Sequence, residues 1–118
     1  MPWTRTDAWM LASVVSSGGE LVQLLAAADA IGGSVPSLDE LSTSLDRLSS
    51  AGLISTYQGL APTPRGTALW QTDPERDLDA SLDRLLAALN EVYLPEGRQA
   101  LRVDPDLYEA ARAEYDRW

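Results

Sequence analysis

The feature that most constrains the fold of this chain is a leucine-spaced segment that begins at Ser37. Its leucines recur three or four residues apart, which places them on one face of a helix. Ser37 and Glu40 have the spacing of a capping box, in which each side chain satisfies a free backbone N–H of the first turn. Gly52 suits the left-handed position that commonly closes a helix. The sequence therefore predicts an amphipathic helix between Ser37 and Gly52. The leucines of its apolar face are Leu38, Leu41, Leu45 and Leu48.

Two short extended stretches follow this helix. Leu53 to Tyr57 runs outward, Gln58-Gly59 turns the chain, and Leu60 to Thr63 runs back. These stretches are too short to form a sheet alone, so we expect a small hairpin that lies on helices. Thr63-Pro64 then opens a fourth helix, because proline is tolerated at the first helical position.

The same apolar periodicity predicts two helices before this segment and two near the end of the chain. With 118 residues, a single domain over 1–118 is the default. The predicted fold class is mainly α with a small β-hairpin. The further helices are a first from a Thr6 or Asp7 cap to about Ser16, a second from Glu20 to Ile31, one from Asp77 to Val92, and one that opens at Asp104-Pro105.

The order of these elements resembles bacterial winged-helix proteins such as the PadR-like and MarR-like regulators. In those families a leucine-striped recognition helix ends in Gly-Leu-Ile, and a wing and then a T-x-x-G sequence follow, which Thr63 and Gly66 supply here. The resemblance covers residues 7–71 and implies a winged-helix core with a C-terminal helical extension at 72–118. In such regulators the later helices often dimerise the protein. The residues that carry the resemblance are Leu41, Leu45, Leu48, Gly52, Leu53, Ile54, Thr63, Pro64, Gly66 and Leu69.

The resemblance also implies DNA binding, with Arg47, Arg65 and Arg5 as the cations available for it. The charge of the chain argues against that function. Nine arginines face eighteen acidic residues, and the net charge of -9 repels nucleic acid and anionic membranes. Phosphate contacts need Lys or Arg, whereas the predicted third helix also carries Asp39 and Asp46.

Two functions therefore remain open. The first is a non-catalytic module that binds protein, either as a homodimer or with another protein. The second is a transcriptional regulator that binds DNA despite its charge. We expect the arrangement of Arg5, Arg47 and Arg65 to discriminate between them. Convergence on one face would favour DNA, whereas pairing with nearby aspartates would disfavour it.

The apolar face of the predicted helix at 77–92 has two interpretations. It is either an ordinary core face packed within its own domain or a face shared with a second subunit, since two-fold dimers are the commonest oligomers. The final helix adds an aromatic stripe. The candidate dimer interface consists of Leu78, Leu82, Leu85, Leu86, Leu89, Val92, Tyr108, Tyr115 and Trp118.

The aromatic residues also have two interpretations. Multidrug-type winged-helix regulators line ligand pockets with such side chains. In a chain that lacks phenylalanine, however, large aromatic side chains are needed to fill the core, and we favour that interpretation. The residues concerned are Trp9, Trp70, Tyr93, Tyr108, Tyr115 and Trp118.

Several kinds of site lack the residues that they need. The absence of histidine and cysteine removes the commonest general base, disulfides and thiolate metal sites. The acids from Asp77 to Asp83 alternate as in a calcium loop, but Leu82 and Ala88 stand where that loop needs Gly and Glu. We therefore predict no metal, no cofactor and no enzymatic activity.

The sequence has no signal-peptide pattern and no apolar run of about 20 residues. We therefore expect a cytoplasmic protein without a membrane partner.

Overall fold

A computed structural model of the chain describes residues 3–17, 19–55, 60–70, 77–95 and 103–118. Within these ranges the protein is mainly helical, with one two-stranded antiparallel sheet. This confirms the predicted combination of helices with a small hairpin. The elements are α1 (Arg5–Ser16), α2 (Leu21–Gly32), α3 (Leu38–Ser50), β1 (Ile54–Ser55), β2 (Ala61–Pro62), α4 (Pro64–Leu69), α5 (Leu78–Leu89) and α6 (Pro105–Asp116).

Helix α3 begins and ends as its sequence predicts. The Ser37 hydroxyl accepts a hydrogen bond from the Glu40 N–H at 3.1 Å, and the Glu40 carboxylate accepts one from the Ser37 N–H at 3.0 Å. These bonds form the predicted capping box. At the other end, Gly52 has a φ of 76°, a left-handed conformation that glycine adopts without steric cost. The leucine face of α3 is turned into the core, where Leu41, Leu45 and Leu48 are buried.

Helix α1 begins earlier than predicted. Its N-cap is Thr4 rather than Thr6 or Asp7, and the Asp7 carboxylate accepts the Thr4 N–H at 2.9 Å. The predicted cap was wrong because Thr4-x-x-Asp7 is itself a capping box, with aspartate in place of the usual glutamate. As a result, Asp7 lies within the first turn of α1, where the fold buries it.

The hairpin is shorter than predicted. Ile54 pairs with Pro62 and Ser55 pairs with Ala61, so each strand has two residues. The predicted turn at Gln58-Gly59 lies outside the described residues.

Thr63 joins the hairpin to the helices on both sides of it. Its hydroxyl accepts from the Gly66 N–H at 3.1 Å, which caps α4, and donates to the Gly52 carbonyl at 2.8 Å. Its backbone N–H donates to the Leu53 carbonyl at 3.1 Å. Gly66 lies against that same carbonyl, and a Cβ at this position would overlap the Leu53 oxygen. The T-x-x-G spacing therefore has a structural cause, which is the close packing of α4 on the loop that follows α3.

Helix α1 lies at the centre of the molecule and packs against α2, α3 and α5. Met10, Leu11 and Val14 on α1 are buried, and Leu85 and Leu89 on α5 belong to the same core. Each such side chain contributes about 1.5–3 kcal/mol when it is removed from water. The C-terminal part of the chain therefore helps to cover the N-terminal helices.

Helix α6 packs against α2, and two tyrosine hydrogen bonds show that the helices run in opposite directions. Near its start, the Tyr108 hydroxyl donates to the Pro36 carbonyl at 2.6 Å, just beyond the end of α2. Further along α6, the Tyr115 hydroxyl donates to the Asp29 carboxylate at 2.5 Å. These two bonds set the register of the pair.

The helices are all short. In the described ranges the longest, α3, has 13 residues, and no helix there has the length and apolar character needed to cross a bilayer.

Candidate interaction surfaces

Arg47, the one arginine of α3, is bound to its own chain. Its Nε donates to Oδ2 of Asp7 at 3.0 Å, and the Asp7 side chain is only 1% exposed. The guanidinium also lies over the Trp3 ring, with its central carbon 5.6 Å from the ring centroid. This distance is within the range of a cation–π interaction. Only 16% of the Arg47 side chain remains exposed.

We call Trp3, Asp7 and Arg47 the arginine clamp. It connects α1 with α3, and the Trp3 Nε1–H donates to the Val92 carbonyl at 3.0 Å. Val92 lies beyond the end of α5, which stops at Leu89 rather than at Val92 as predicted. If Arg47 turned outward to bind a phosphate, Asp7 would remain as an unpaired charge in the interior. Removing one partner of a buried ion pair typically costs about 3–5 kcal/mol. The clamp therefore opposes the use of Arg47 as a phosphate contact.

The surface beside the clamp is acidic. A cleft of about 320 Å³ lies between the start of α1 and α3, and Asp39 and Glu40 at its rim are exposed. Arg47 also lines the cleft, and its Nη2 is buried and has no hydrogen-bond partner among the described residues. A polyanion that approached this face would meet two exposed carboxylates and a cation that is mostly buried. The cleft is lined by Thr4, Thr6, Asp7, Asp39, Glu40, Thr43, Ser44 and Arg47.

The other two candidate DNA contacts also have partners within the chain. Arg5 donates to Asp79 at 2.8 Å and pairs with Asp83 on α5. Arg65 donates to the Ala51 carbonyl at the end of α3, at 3.3 Å, and its side chain is exposed. Arg5 thus faces α5, whereas Arg65 lies near the end of α3.

The acids that alternate at the start of α5 have structural roles. Asp77 caps the helix by accepting the Ala80 N–H at 2.7 Å, and Asp79 and Asp83 hold Arg5. Among the described residues, no group of three or more acidic, histidine or cysteine side chains is placed to hold a metal ion.

Most of the candidate dimer interface is covered by the chain itself. Leu82, Leu85, Leu89, Val92 and Tyr108 are buried within the single chain, so a second copy cannot reach their side chains in this structure. Leu86 and Tyr115 are partly buried, and Trp118 is 67% exposed. The Leu78 side chain lies outside the described residues. The leucine face of α5 therefore packs on α1 in the way that an ordinary core face does.

The aromatic residues do not share one location. Trp70 and Tyr108 are buried, and Trp9 is half-buried with its Nε1–H donated to the Ala28 carbonyl at 2.8 Å. Tyr93 and Trp118 are 75% and 67% exposed. Packing in the core thus accounts for some of these side chains, and the two exposed ones need another explanation.

Trp118 borders a shallow groove that the sequence did not indicate. The groove has a volume of about 460 Å³ and lies where the outer face of α2 meets the end of α1. The Trp118 ring packs edge-on against Tyr115, with centroids 5.5 Å apart. Tyr115 is itself held by Asp29, and this hydrogen bond, together with partial burial, raises the pKa of Tyr115 above its ordinary value. The groove is lined by Ser16, Ser17, Gln23, Ala26, Ala27 and Trp118.

Sequence reasoning missed both the clamp and the groove. The Thr4-x-x-Asp7 spacing was available as a sign that Asp7 lies in a first turn, but nothing in the sequence pairs Asp7 with Arg47. The groove depends on the packing of α6 against α2, which periodicity alone does not predict.

Comparison with known proteins identifies no family or function for these surfaces. No family model matches the chain, and no curated protein and no solved structure matches it significantly.

Proposed function

We propose that this chain is a non-catalytic, winged-helix-type protein that acts as a protein–protein interaction module. The element order supports the winged-helix part of the proposal. Three helices precede a short antiparallel hairpin, and Thr63 and Gly66 attach the next helix to the end of α3. In this interpretation α3 stands in the position of the recognition helix, and β1 and β2 form the base of the wing.

The observation that carries the functional part is the arginine clamp. A recognition helix that binds DNA needs cations free to meet phosphates or bases. The one arginine of α3 is instead paired with buried Asp7 and stacked on Trp3. Asp39 and Glu40 are exposed on the same helix. Such a face can pack against another protein, whereas its carboxylates repel a polyanion.

The partner proposed is another protein rather than a second copy joined through α5. A homodimer through the leucine face would require α5 to leave α1, because Leu82, Leu85 and Leu89 are buried within the chain. That exchange would expose the core that holds the monomer together.

The alternative function is a DNA-binding regulator of the PadR-like or MarR-like type. One observation favours it, which is that the exposed side chain of Arg65 lies next to the C-terminal end of α3. Arg5 would be the second contact, but Asp79 and Asp83 compete for it.

A charge-variant experiment tests the proposal. The double variant Asp39→Asn with Asp46→Asn removes two negative charges from α3, and Asp106→Asn with Asp116→Asn removes two from α6 as a matched control. Binding to a labelled duplex of random sequence is measured by fluorescence anisotropy. We expect no binding by the unmodified chain at physiological salt, and a gain only in the α3 variant at low salt.

Micromolar binding by the unmodified chain would contradict the proposal and restore the regulator. An equal gain in both double variants would mean that net charge alone, rather than the chemistry of α3, excludes DNA.

A further inference from the structure

The floor of the groove beside Trp118 is formed by small and uncharged side chains. Gln23 and Ala27 line it from α2 and lie four residues apart, so they share the outer face of that helix. Ala26 lines the groove beside them. Because alanine fills little space, the floor leaves room for a side chain from a partner.

The helices that flank this groove carry acidic side chains. Glu20, the N-cap of α2, is exposed and lies three residues before Gln23. On α6, Glu114 is exposed one turn before Trp118. A third carboxylate belongs to Asp29 on α2, which is half-buried and accepts the Tyr115 hydroxyl. The groove therefore has carboxylates on both of the helices that flank it.

Helix α1 adds to the negative potential of the groove. Its C-terminal end lies in the groove wall, where Ser16 and Ser17 are found. The C-terminal end of a helix carries a partial negative charge of about half an electron, and the last turn of α1 contains no basic residue.

Few cations oppose this potential. Helix α2 contains no basic residue. On α6, Arg112 donates to the Tyr108 hydroxyl at 3.2 Å. Arg117, the residue before Trp118, is exposed.

The indole of Trp118 gives the groove a preferred ligand chemistry. Tryptophan is the best aromatic partner for a cation, and an Arg or Lys within about 6 Å of the ring is attracted to its face. Trp118 packs edge-on against Tyr115, which supports its orientation. Along α6, Leu107 is 62% exposed and continues the apolar surface toward the start of the helix. Leu107, Ala110, Glu114 and Trp118 follow the spacing of one helix face.

We propose that this groove, together with the Leu107–Trp118 face of α6, is the docking site for a basic amphipathic segment of another protein. A cationic side chain of the segment lies over the Trp118 indole, and an apolar side chain fills the space above Ala26 and Ala27. Glu20 and Glu114 supply the complementary charge. This inference rests on the proposed function, because it names the partner chemistry of an interaction module.

A second copy of the chain is the less suitable occupant. It would bring the same carboxylates and a net charge of -9 to an acidic surface, and like charges placed across an interface disfavour association. The negative potential of the chain instead attracts a basic segment and steers it toward the groove.

The test uses the full chain and a labelled synthetic amphipathic helix of leucine and arginine. A peptide of the same pattern with glutamate in place of arginine is the control ligand. We expect the basic peptide alone to bind, with an affinity that falls between about 50 and about 200 mM salt as screening increases. Trp118→Ala should weaken binding about tenfold or more, as the loss of an aromatic anchor does.

Two further variants locate the contact. The double variant Glu20→Gln with Glu114→Gln should weaken peptide binding and reduce its dependence on salt. This variant keeps the proposal testable if Trp118→Ala disturbs the fold. The Glu20 side chain makes no capping hydrogen bond, so its substitution leaves the α2 cap as it is. Tyr93→Ala removes another exposed aromatic side chain, which follows α5 and lies next to the Val92 carbonyl that Trp3 binds. It should leave binding unchanged.

Three results would overturn the docking site: no binding of the basic peptide, equal binding of the acidic peptide, or equal losses in Trp118→Ala and Tyr93→Ala. Self-association of the chain that Trp118→Ala abolishes would also overturn it, in favour of a second copy. None of these results restores DNA binding, which the duplex titration tests separately.

Discussion

Replacing Arg47 with alanine should destabilise the protein far more than replacing the exposed Arg65. The substitution leaves the Asp7 side chain 1% exposed and without its ion-pair partner, and it removes the cation from the Trp3 ring. Breaking a buried pair costs about 3–5 kcal/mol. Because Arg47 itself keeps 16% of its side chain exposed, we take the lower end and expect a loss of about 3 kcal/mol.

Urea unfolding at neutral pH, followed by circular dichroism, measures this loss directly. A domain of this size unfolds with a total free energy of about 6–18 kcal/mol, so the expected change is a large fraction of the whole. At about 4 °C per kcal/mol, the thermal midpoint should fall by about 12 °C. Arg65→Ala is the matched control and should change stability by less than about 0.5 kcal/mol, the usual range for surface positions.

A double-mutant cycle separates the ion pair from general damage. In an Asp7→Asn background the buried charge is absent, so Arg47→Ala should cost clearly less than it does in the unmodified chain. A loss below about 1 kcal/mol for Arg47→Ala, well under the range for a broken buried pair, or no coupling between Asp7 and Arg47, would refute the clamp. Arg47 would then be free to contact DNA.

Other positions give independent tests of the fold. Leu45→Ala and Leu48→Ala should each lower the free energy of unfolding by about 2–5 kcal/mol in urea melts, because both side chains are buried on α3; losses like those of surface changes would contradict the α3 assignment. Gly66→Ala should destabilise by about 1–3 kcal/mol or more, since its Cβ meets the Leu53 carbonyl, and a neutral result would show that α4 does not pack there. The raised pKa of Tyr115 means that the folded state favours the protonated phenol. The stability that Tyr115 contributes is therefore fully present below the ordinary tyrosine pKa of 10.0, and it is lost as the pH rises through the raised pKa. Tyr115→Phe should remove that alkaline dependence in melts across this range, and an unchanged dependence would contradict the Asp29 bond.

The sequence was sufficient where the signals are local. The α3 capping box depends on Ser37 and Glu40, three residues apart, and the C-cap of the helix is Ala51, just before the left-handed Gly52. The Thr63-Pro64 start of α4 is local in the same way. Such signals involve hydrogen bonds or backbone conformations within one turn, so they can be recognised without knowing the rest of the fold.

The sequence was insufficient where function depends on distant partners. Asp7 and Arg47 are 40 residues apart, and nothing in composition or periodicity joins them. The α5 leucines were equally compatible with a core face and a dimer surface, because periodicity shows that a face is apolar without showing what covers it. Trp118 became part of a groove only through the antiparallel packing of α6 on α2, which the bonds of Tyr108 and Tyr115 establish.

We propose that this chain recognises protein rather than nucleic acid, and the salt dependence of duplex binding is the sharpest test of that proposal. The unmodified chain is titrated with labelled generic duplex from about 50 to about 200 mM salt. We predict no measurable binding at physiological salt, where non-specific DNA-binding proteins have dissociation constants of about 10⁻⁴–10⁻⁶ M. Micromolar binding that weakens steeply as salt is added would contradict the proposal, and its loss in Arg65→Gln would place the DNA contact beside the end of α3.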